Sequence, residues 1–469
     1  MARLSLDDRA LGHPVFTEEP LKLATIILAA GQGTRMKSEL PKVLHPLAGR
    51  PMVSYVIDTA RALGDERPTL VVGYRADQVR AAVGDRVLTV DQPEQLGTGH
   101  AVMQAREALE GRSDVVLVLY GDTPFIGVET LRAMLDDHAG HDATITLLTF
   151  RPPDPLRYGR IVRSGSGRVV NIVEFKEATP EQLTLREVNS GILCFKAGWL
   201  WSHLNQLQPK HGHGEYYLTD LVALAAAQVQ TIATREATTE EVAGIDDRVR
   251  LAWAERLMRE RIAERLMLSG VTLVDPSNTT ISGEAVVEPD TTIYPGSHIE
   301  GATRIGRGCH IGPNAIVRDS VVGERCRIEA SVVEGATLEE NVRVGPFAHL
   351  RRGAYLERDV ECGNFAEVKN SRLGAGAKQH HFSYLGDATL GRNVNVGAGA
   401  ITCNYDGAKK HRTEIGDGAF IGSDTMLVAP VRVGAGSKTG AGSVVTRDVP
   451  DGELVYGVPA RSKPKTDHG

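Results

Sequence analysis

Residues 23–36 read LATIILAAGQGTRM, an apolar run that breaks into a glycine-containing loop and ends near a cation. Gly31 and Gly33 can adopt backbone angles that other residues avoid, so consecutive N–H groups of this loop can converge on an anion. Arg35 and Lys42 add the positive charges that a triphosphate requires. The stretch predicts a strand followed by a phosphate-binding loop, and hence a nucleotide ligand, although a glycine turn of this kind also occurs for purely steric reasons.

Short apolar runs alternate with helical stretches from Leu23 to about Asp247. The apolar runs cover 24–28, 69–72, 115–119 and 143–148, and the helical stretches include 52–63 and 99–109. This alternation predicts a Rossmann-like α/β domain, whose mostly parallel sheet is flanked by helices and binds its ligand outside the carboxyl ends of the strands. The loop after Leu28 and a turn at Asp122 both lie at that edge.

A different period follows a charged segment. Val249, Trp253 and Leu257 begin an apolar series at helical spacing that predicts a linking helix, with Gly270 as its cap. Beyond it, branched residues recur every six positions. Neither the period of a helix, about 3.6 residues, nor that of a strand, about 2, explains this spacing. They are Ile281, Val287, Ile293, Ile299, Ile305, Ile311 and Val317, and later Ile415, Ile421, Leu427, Val433, Thr439 and Val445. The period predicts a left-handed parallel β-helix, from which residues 403–413 project as a loop.

Length and charge narrow the class of protein. A chain of 469 residues should form two or three domains. Its formal net charge of −6, with both signs interspersed, gives no basic tract, so we expect neither nucleic-acid binding nor membrane insertion. Five scattered cysteines without C-x-x-C spacing indicate neither a disulfide framework nor a zinc site, and they fit a cytoplasmic location. The first twenty residues are mixed and charged, as in a loose extension.

Further motifs identify a family. PKVL at 41–44, QPEQLGT at 92–98 and YGD at 120–122 make the chain resemble the sugar-phosphate nucleotidyltransferases. With the helix, the solenoid, HFSYLGD at 381–387 and NYDG at 404–407, it resembles the bacterial bifunctional N-acetylglucosamine-1-phosphate uridylyltransferases and glucosamine-1-phosphate N-acetyltransferases, from about Leu23 to Arg461.

The resemblance implies a domain order and two reactions. We expect an extension over 1–22, a uridylyltransferase domain over 23–247, a linker helix over 248–269 and a β-helix acetyltransferase domain over 270–469. Acetyl-coenzyme A would acetylate glucosamine-1-phosphate, and UTP would then give UMP to N-acetylglucosamine-1-phosphate with release of pyrophosphate. The product, UDP-N-acetylglucosamine, is a cell-envelope precursor. The resemblance also implies Mg²⁺ as cofactor and a homotrimer with the acyl site between neighbours.

Uridylyl transfer needs positioning and charge neutralisation rather than a base, because a sugar phosphate is already ionised near neutral pH. The resemblance implies that Arg35 and Lys42 are catalytic and that Asp122 and Asp246 hold the metal. The other nucleotide and sugar contacts would be Leu28, Ala29, Ala30, Gly31, Gln92, Gly97, Thr98, Tyr120, Gly121, Gly159, Glu174 and Asn189. The chain departs from the family at Asp246, where relatives usually have asparagine.

Acetyl transfer needs a base, because the amine of glucosamine-1-phosphate is largely protonated at neutral pH. His381 is the candidate, and Glu367 could orient its ring. The resemblance assigns Arg351, Lys369, Tyr384 and Asn395 to glucosamine-1-phosphate, and Ala398, Asn404, Tyr405, Ser423 and Ala441 to acetyl-coenzyme A, with a backbone N–H near Ala398 facing the oxyanion. An arginine that some relatives direct at coenzyme A phosphate is missing near the C-terminus, where Arg447 or Arg461 could substitute.

Three other interpretations stay open at the level of sequence. The chain could make a different nucleotide sugar, such as an ADP- or dTDP-sugar, which would leave His381 and Asn404 without a role. It could be a non-catalytic scaffold, although the retained charges of Arg35, Lys42 and Asp122 argue against decay. It could also be monofunctional, with one site silenced by Asp246 or by the missing arginine.

Overall fold

The protein consists of two compact units. In the computed structural model, residues 21–155, 157–209 and 214–462 are described. The first unit comprises Met1–His45 and Pro51–Asp247, and the second comprises Pro46–Arg50 and Arg248–Gly469. Except for Leu21 and Lys22, the expected N-terminal extension lies outside the described residues.

The first unit is an α/β domain whose strands and helices alternate. Its strands are β1 (Leu23–Leu28), β4 (Thr69–Val72), β5 (Leu88–Asp91), β6 (Val115–Tyr120), β7 (Ile145–Phe150), β8 (Arg160–Arg163), β9 (Val169–Val173), β10 (Val188–Lys196) and β11 (Ile232–Glu236). Its helices are α1 (Met52–Ala62), α2 (Ala76–Val83), α3 (Gly97–Gln104), α4 (Arg106–Leu109), α5 (Val128–Gly140), α6 (Pro180–Leu183), α7 (Ala197–His203) and α8 (Asp220–Ala227). Single 3₁₀ turns cover Thr34–Met36, Lys42–Leu44, Gly84–Arg86 and Leu204–Gln206. The short strands β2 (Pro46–Leu47) and β3 (Arg50–Pro51) pair only with each other, and all their residues but Pro51 belong to the second unit.

The strands of this unit form one mostly parallel sheet. Their order is β11-β7-β10-β6-β1-β4-β5, with the β8–β9 hairpin attached to β10. Strand β1 runs parallel to β4 and β6, whereas β10 runs antiparallel to β6 and β7. The predicted fold class is confirmed, and the loops after β1 and β6 leave the sheet at the same edge.

Both faces of the sheet are buried, as expected for parallel strands covered by helices. Ile27 belongs to a core cluster that also contains residues of α1, α2 and α5, and its neighbour Ile26 belongs to a second cluster with residues of α3, α7 and α8. Neither isoleucine is exposed to solvent. The consecutive apolar residues of β1 therefore pack on opposite sides, and they hold the following loop on a rigid strand end.

One predicted helix is interrupted. The stretch predicted as one helix forms two, α3 and α4. Between them the Ala105 N–H bonds to the Val102 carbonyl, three residues back, at 3.0 Å, as in a tight turn. The first of the two helices begins earlier than predicted, at Gly97. Its start carries part of the QPEQLGT motif into the site described below.

The second unit begins with the predicted long helix, α9 (Arg248–Leu268). A turn formed by residues 46–50 belongs to the same unit, although it is distant in sequence. The Ala48 N–H donates to the Glu255 carboxylate at 2.7 Å, and the Ala48 carbonyl accepts from the Gly283 N–H at 2.9 Å. Sequence periodicity gave no indication of this association. Within the described residues, no helix is both long and apolar enough to span a bilayer.

The rest of the second unit is a parallel β-helix with three sheets, as predicted. The first sheet contains Thr272–Leu273, Thr292–Ile293, His310–Ile311, Arg327–Ile328, Arg343–Val344, Glu361–Cys362, Lys378–Gln379, Asn395–Val396, Phe420–Ile421, Lys438–Thr439, Leu454–Gly457 and Ala460–Ser462. The second contains Thr280–Ile281, His298–Glu300, Ile316–Arg318, Val332–Glu334, His349–Leu350, Ala366–Lys369, Ser383–Gly386, Ile401–Cys403, Met426–Val428 and Val444–Val445. The third contains Val286–Val287, Arg304–Ile305, Val321–Val322, Thr337–Leu338, Tyr355–Leu356, Arg372–Leu373, Ala388–Leu390, Thr413–Ile415 and Val431–Val433.

Stacked apolar side chains explain the six-residue period. Ile293, Ile311 and Ile328 are register partners on successive strands of the first sheet, and none of them is exposed. Each third hexad therefore places a branched side chain on the one below it, which buries apolar surface continuously along the solenoid. The irregular segment at 404–412 lies between strands Ile401–Cys403 and Thr413–Ile415, where it leaves the coil pattern.

Burial of His138 predicts a pH-dependent stability for the first unit. Its ring is 3% exposed, Nδ1 lies 2.9 Å from the Thr146 hydroxyl, and Nε2 is buried without a hydrogen-bond partner. Burial, aided by the positive charge of Lys196, lowers the pKa of His138 to about 4. Since the unfolded residue has a pKa near ~6.5, it takes up a proton first, and folding stability falls as the pH drops from about 6.5 to about 4.

We expect His138→Gln to remove roughly 2–3 kcal/mol of this pH-dependent change. Urea unfolding of the first unit between pH 7 and pH 4 measures it, with exposed His141→Gln on the same helix end as the control. A wild-type pH slope retained in His138→Gln would contradict the assignment.

Candidate active sites

The carboxyl edge of the first sheet holds a compact charged cluster. The Lys42 ammonium contacts the Asp122 carboxylate and lies 3.1 Å from Oδ1 of Asp246, and Nη2 of Arg35 lies 3.0 Å from the same Asp246 oxygen. Burial alone would lower the pKa of Lys42, but attraction to Asp122 and Asp246 outweighs it and raises the pKa above its ordinary value. Lys42 is therefore a permanent cation between two carboxylates.

The loop after β1 accommodates Lys42 through a glycine. Gly33 has φ 65°, and a Cβ at this position would lie 2.6 Å from the Cβ of Lys42. Any side chain here would be strained in conformation and would push the lysine away. The predicted glycine loop thus brings the cation to the site, while Gly31 borders open space.

A cavity of 280 Å³ adjoins this cluster. Of the residues predicted from sequence, it is lined by Leu28, Ala29, Ala30, Gly31, Lys42, Gln92, Gly97, Thr98, Tyr120 and Asp122. Gln92 is 4% exposed, and its side-chain amide donates to the Gly97 carbonyl at 3.1 Å. Gly97 has φ 93°, and a Cβ there would lie 2.6 Å from the Tyr216 carbonyl, so glycine is needed for the close approach of the two segments.

A second group of predicted residues lies beside the cavity lining. The side-chain oxygen of Asn189 accepts a hydrogen bond from the Gly191 N–H at 3.0 Å. The backbone N–H of Asn189 donates to the Gly159 carbonyl at 2.9 Å. A Cβ on Gly159 would lie 3.4 Å from the Glu174 carboxylate. Burial raises the pKa of Glu174, which accepts a hydrogen bond from Thr219 at 3.2 Å. The structure therefore brings Gly159, Glu174 and Asn189 together.

Tyr120 connects the two groups. A Cβ on Gly191 would lie 2.7 Å from its ring, and both Tyr120 and Thr98 line the cavity. Burial raises the pKa of Tyr120 far above its ordinary value, so the phenol stays protonated. Three further residues line the cavity: Gln95, Glu215 and Tyr217. Gln95 lies within the QPEQLGT motif but was not assigned a contact, and Glu215 and Tyr217 belong to a segment without a recognisable phosphate-binding pattern.

Two carboxylates provide the metal-binding potential of this site. Asp122 and Asp246 both contact the single ammonium of Lys42, so they converge on one positive charge. In the part of the chain that the structure describes, no three His, Cys, Asp or Glu residues cluster as a complete metal site. Mg²⁺ typically takes one or two carboxylates and completes its coordination with phosphate oxygens and water, so the residues present fit this ion.

The second sheet of the solenoid carries the other candidate site. Its outward side chains include Arg351, Glu367 and Lys369, and Glu367 is the register partner of Tyr384. The Arg351 guanidinium donates to Glu367 at 2.8 Å. The ammonium groups of Lys369 and Lys410 lie close together. Repulsion from Lys410, and to a smaller extent from Arg351, lowers the pKa of Lys369. Three cations gathered at one place form a site for an anion.

The projecting loop places Asn404 on this site. Asn404 is 7% exposed and donates to Asp387 at 2.6 Å. A Cβ on Gly386 would lie 2.3 Å from the Tyr384 hydroxyl and 2.7 Å from the Asn404 amide nitrogen, so these two groups are neighbours above a glycine. Asp406 orders the loop by accepting from the N–H groups of Ala408 and Lys409 and from His411, which lowers the pKa of its carboxyl.

His381 lies at the exposed corner between the first and second sheets. Its neighbour His380 is held by Glu361 at 3.0 Å, whereas the His381 ring makes no hydrogen bond to any described residue. Glu367, which the sequence suggested as the orienting partner, instead accepts from Arg351. The imidazole of His381 is thus free to meet a substrate, and its orientation by Glu367 stays a prediction.

The predicted acetyl-coenzyme A residues follow one another along a corner of the solenoid. A Cβ on Gly397 would lie 2.5 Å from the Ser423 nitrogen, and one on Gly422 would lie 2.9 Å from the Ala441 nitrogen. Ala398, Ser423 and Ala441 therefore form a column on successive coils, next to Asn395 on the first sheet. Tyr405 lies on the projecting loop, 60% exposed, with its hydroxyl on the Gly407 carbonyl at 2.6 Å.

The C-terminal hairpin covers the end of this column. Tyr456 packs on Gly440, where a Cβ would lie 2.8 Å from the Cβ of Tyr456, and Arg461 is its register partner. Arg461 and Arg447 are both exposed, and neither has an acidic partner among the described residues. Either Arg447 or Arg461 could therefore substitute for the missing coenzyme A arginine. Of the two, Arg461 lies on the hairpin that covers the end of the column.

The fold and these sites define a nucleotidyltransferase joined to a hexapeptide-repeat acyltransferase. Residues 25–174 match the MobA-like NTP transferase domain, and residues 284–319 and 412–447 match the bacterial transferase hexapeptide (six repeats). The chain is 51% identical to the bifunctional protein GlmU of Pelobacter propionicus, over 92% of this chain and 95% of that protein. It is 49% identical to that of Alkalilimnicola ehrlichii, over 95% and 96%, and 47% identical to that of a Geobacillus species, over 92% and 95%.

The chain therefore belongs to the bifunctional GlmU family. It is a bifunctional transferase of UDP-N-acetylglucosamine synthesis, with a uridylyltransferase and a glucosamine-1-phosphate acetyltransferase activity.

Proposed function

We propose that the two activities use the two sites described above, with uridylyl transfer at the Lys42 cluster and acetyl transfer beside His381. One observation carries the assignment: Lys42 is held between Asp122 and Asp246 at the rim of a cavity lined by the predicted nucleotide contacts. A triphosphate and a sugar phosphate repel each other, and this cluster supplies the cations and carboxylates that can offset the repulsion.

Arg35 and Lys42 bind the phosphates of UTP and of the incoming sugar phosphate. The sugar phosphate is a dianion near neutral pH, so it attacks the α-phosphorus without a protein base, and pyrophosphate leaves. Gln92, Gly97 and Thr98 bind the uracil, because they line the cavity and the side-chain amide of Gln92 is held on the Gly97 carbonyl. Glu174 and Asn189, with Gly159, bind the N-acetylated sugar at the neighbouring group.

Asp122 and Asp246 would hold Mg²⁺. When bound, the ion would neutralise charge between the reacting phosphates. Both carboxylates already face a cation, and both belong to rigid positions, Asp122 after strand β6 and Asp246 just before α9. The chain thus supplies the acidic ligands, and the nucleotide supplies the others.

Acetyl transfer uses the cationic group on the second solenoid sheet. Arg351, Lys369 and the previously unassigned Lys410 bind the phosphate of glucosamine-1-phosphate, because their like charges are brought together and, of the three, only Arg351 has an ion pair with a described residue. Tyr384 and Asn395 bind the sugar. His381 accepts the proton of the attacking amine as the C–N bond to the acetyl carbon forms, and the coenzyme A thiolate leaves.

Acetyl-coenzyme A lies along the column formed by Ala398, Ser423 and Ala441, with Asn404 and Tyr405 on its projecting-loop side. The small side chains of the column leave room for an extended pantetheine arm, and Asn404 is fixed there by Asp387. A backbone N–H near Ala398 stabilises the tetrahedral oxyanion.

We also propose a cytoplasmic homotrimer. Phe347, Phe365 and Phe382 are 57–63% exposed on successive coils, at the corner that carries His381, and the first two rings stack at 5.5 Å. Exposed aromatic side chains in a row favour burial against another chain. The five cysteines are free thiols, consistent with a reducing compartment.

Nucleotide preference separates this proposal from a related nucleotide-sugar enzyme. Pure protein with N-acetylglucosamine-1-phosphate and Mg²⁺ should release pyrophosphate from UTP far faster than from ATP or dTTP. Faster turnover of ATP or dTTP would favour the alternative. Free thiol release from acetyl-coenzyme A with glucosamine-1-phosphate tests the second activity, and a folded protein silent in that assay would be monofunctional.

Asp122→Asn should lower the kcat of uridylyl transfer by about 100-fold or more, because it removes a charge that faces the reacting phosphates. Acetyl transfer should be unchanged, since Asp122 lies in the other unit. Exposed Asp77→Asn is the matched control and should retain both rates. Parallel loss of both activities in folded Asp122→Asn would refute separate sites.

His381→Ala should have the reverse effect, lowering the kcat of acetyl transfer by about 100-fold or more while sparing uridylyl transfer. The adjacent His380→Ala is the control, because Glu361 already engages that ring. Equal losses of kcat in the two variants would show that acetyl transfer depends on the local structure of this corner rather than on the His381 imidazole.

Lys369→Met should raise the KM for glucosamine-1-phosphate by about 10- to 100-fold, the loss expected for one charge-assisted hydrogen bond, with a smaller change in kcat. Arg304→Met removes the same charge from the third sheet and should leave KM unchanged. An unaltered KM in Lys369→Met would exclude it from phosphate binding.

A further inference from the structure

Asp246 holds two basic side chains at the charged cluster of the first unit. One oxygen, Oδ1, accepts from Arg35 at 3.0 Å and from Lys42 at 3.1 Å. Lys42 also contacts Asp122, so two cations and two carboxylates neutralise one another. The phosphate-binding charges of the site are therefore already engaged before any ligand is bound.

An asparagine at position 246 would leave the cluster with one net positive charge. Its amide oxygen could still accept a hydrogen bond, but it would not hold two cations by charge or repel a nucleotide. With aspartate, a triphosphate must draw Arg35 and Lys42 away from a carboxylate and must also approach that carboxylate. The Asp246 side chain is 30% exposed and that of Arg35 66%, so both can be reached from solvent.

We propose that Asp246 makes nucleotide binding by this chain conditional on a divalent cation, an inference that rests on the proposed uridylyltransferase site. Without the cation, Asp246 holds Arg35 and Lys42 and opposes the triphosphate. When Asp246 and Asp122 ligate a divalent cation, the cation neutralises the negative charge of the two carboxylates. Arg35 and Lys42 are then available to bind phosphate. Cation and nucleotide then bind with strong positive coupling, which Asp246 sets.

Binding of UTP measured by calorimetry, in EDTA and in saturating Mg²⁺, tests this coupling. In EDTA, Asp246→Asn should bind UTP about tenfold or more tightly than wild type, a coupling within the usual range for linked sites. In Mg²⁺ the wild type should bind UTP at least as tightly as Asp246→Asn. For each protein, the dissociation constant of UTP in EDTA is divided by that in Mg²⁺. This EDTA-to-Mg²⁺ ratio should be smaller in Asp246→Asn than in wild type by about tenfold or more.

A matched control separates local contact from net charge. Glu39→Gln removes the same charge from the first unit, but Glu39 is 88% exposed and pairs with Arg75 rather than with Arg35 or Lys42. Its EDTA-to-Mg²⁺ ratio should equal that of wild type. Asp246→Ala, checked for folding by thermal melting, should behave as Asp246→Asn does, because the removed charge is the cause.

Two results would overturn the inference in different ways. If wild type and Asp246→Asn bind UTP with the same EDTA-to-Mg²⁺ ratio, Asp246 does not set the coupling, while the nucleotide site itself stands. If wild-type protein binds no UTP even in Mg²⁺, the proposed uridylyltransferase site fails, and this inference fails with it.

Discussion

The Lys42 ammonium joins three segments of the first unit that are far apart in sequence. The glycine loop delivers the lysine, the end of β6 delivers Asp122, and the segment before α9 delivers Asp246. A partly buried ammonium is stable only when acidic groups offset its lost hydration, and here that attraction prevails over burial. The geometry of the nucleotide cavity depends on this balance, because the same loop lines its wall.

The candidate site of the solenoid contains a cluster of like charges instead of a balanced one. Arg351, Lys369 and Lys410 gather like charges at one place, and the resulting repulsion lowers the pKa of Lys369. In the proposed site, the phosphate of glucosamine-1-phosphate would relieve this repulsion. Nearby, the ring of His381 has no hydrogen-bond partner among the described residues, which suits the general-base role proposed for it. The two units therefore meet different chemical demands with different charge arrangements.

Sequence patterns predicted the architecture well because each period corresponds to a packing rule. The six-residue repeat places Ile293 directly on Ile311, and the apolar run of β1 is buried on both faces. Contacts between distant segments carried no such signal. The place of residues 46–50 in the second unit, the Lys369–Lys410 encounter and the pairing of Glu367 with Arg351 all depend on tertiary structure, and they could be found only there.

We propose that the two transfer reactions occupy independent sites, each with its own charge balance. Competition kinetics test it most directly: the initial rate of thiol release from acetyl-coenzyme A is measured over a range of glucosamine-1-phosphate, with increasing UTP and Mg²⁺. If the two sites are independent, saturating UTP leaves the KM for glucosamine-1-phosphate unchanged. Competitive inhibition by UTP, with a KM that rises in proportion to its concentration, would contradict it.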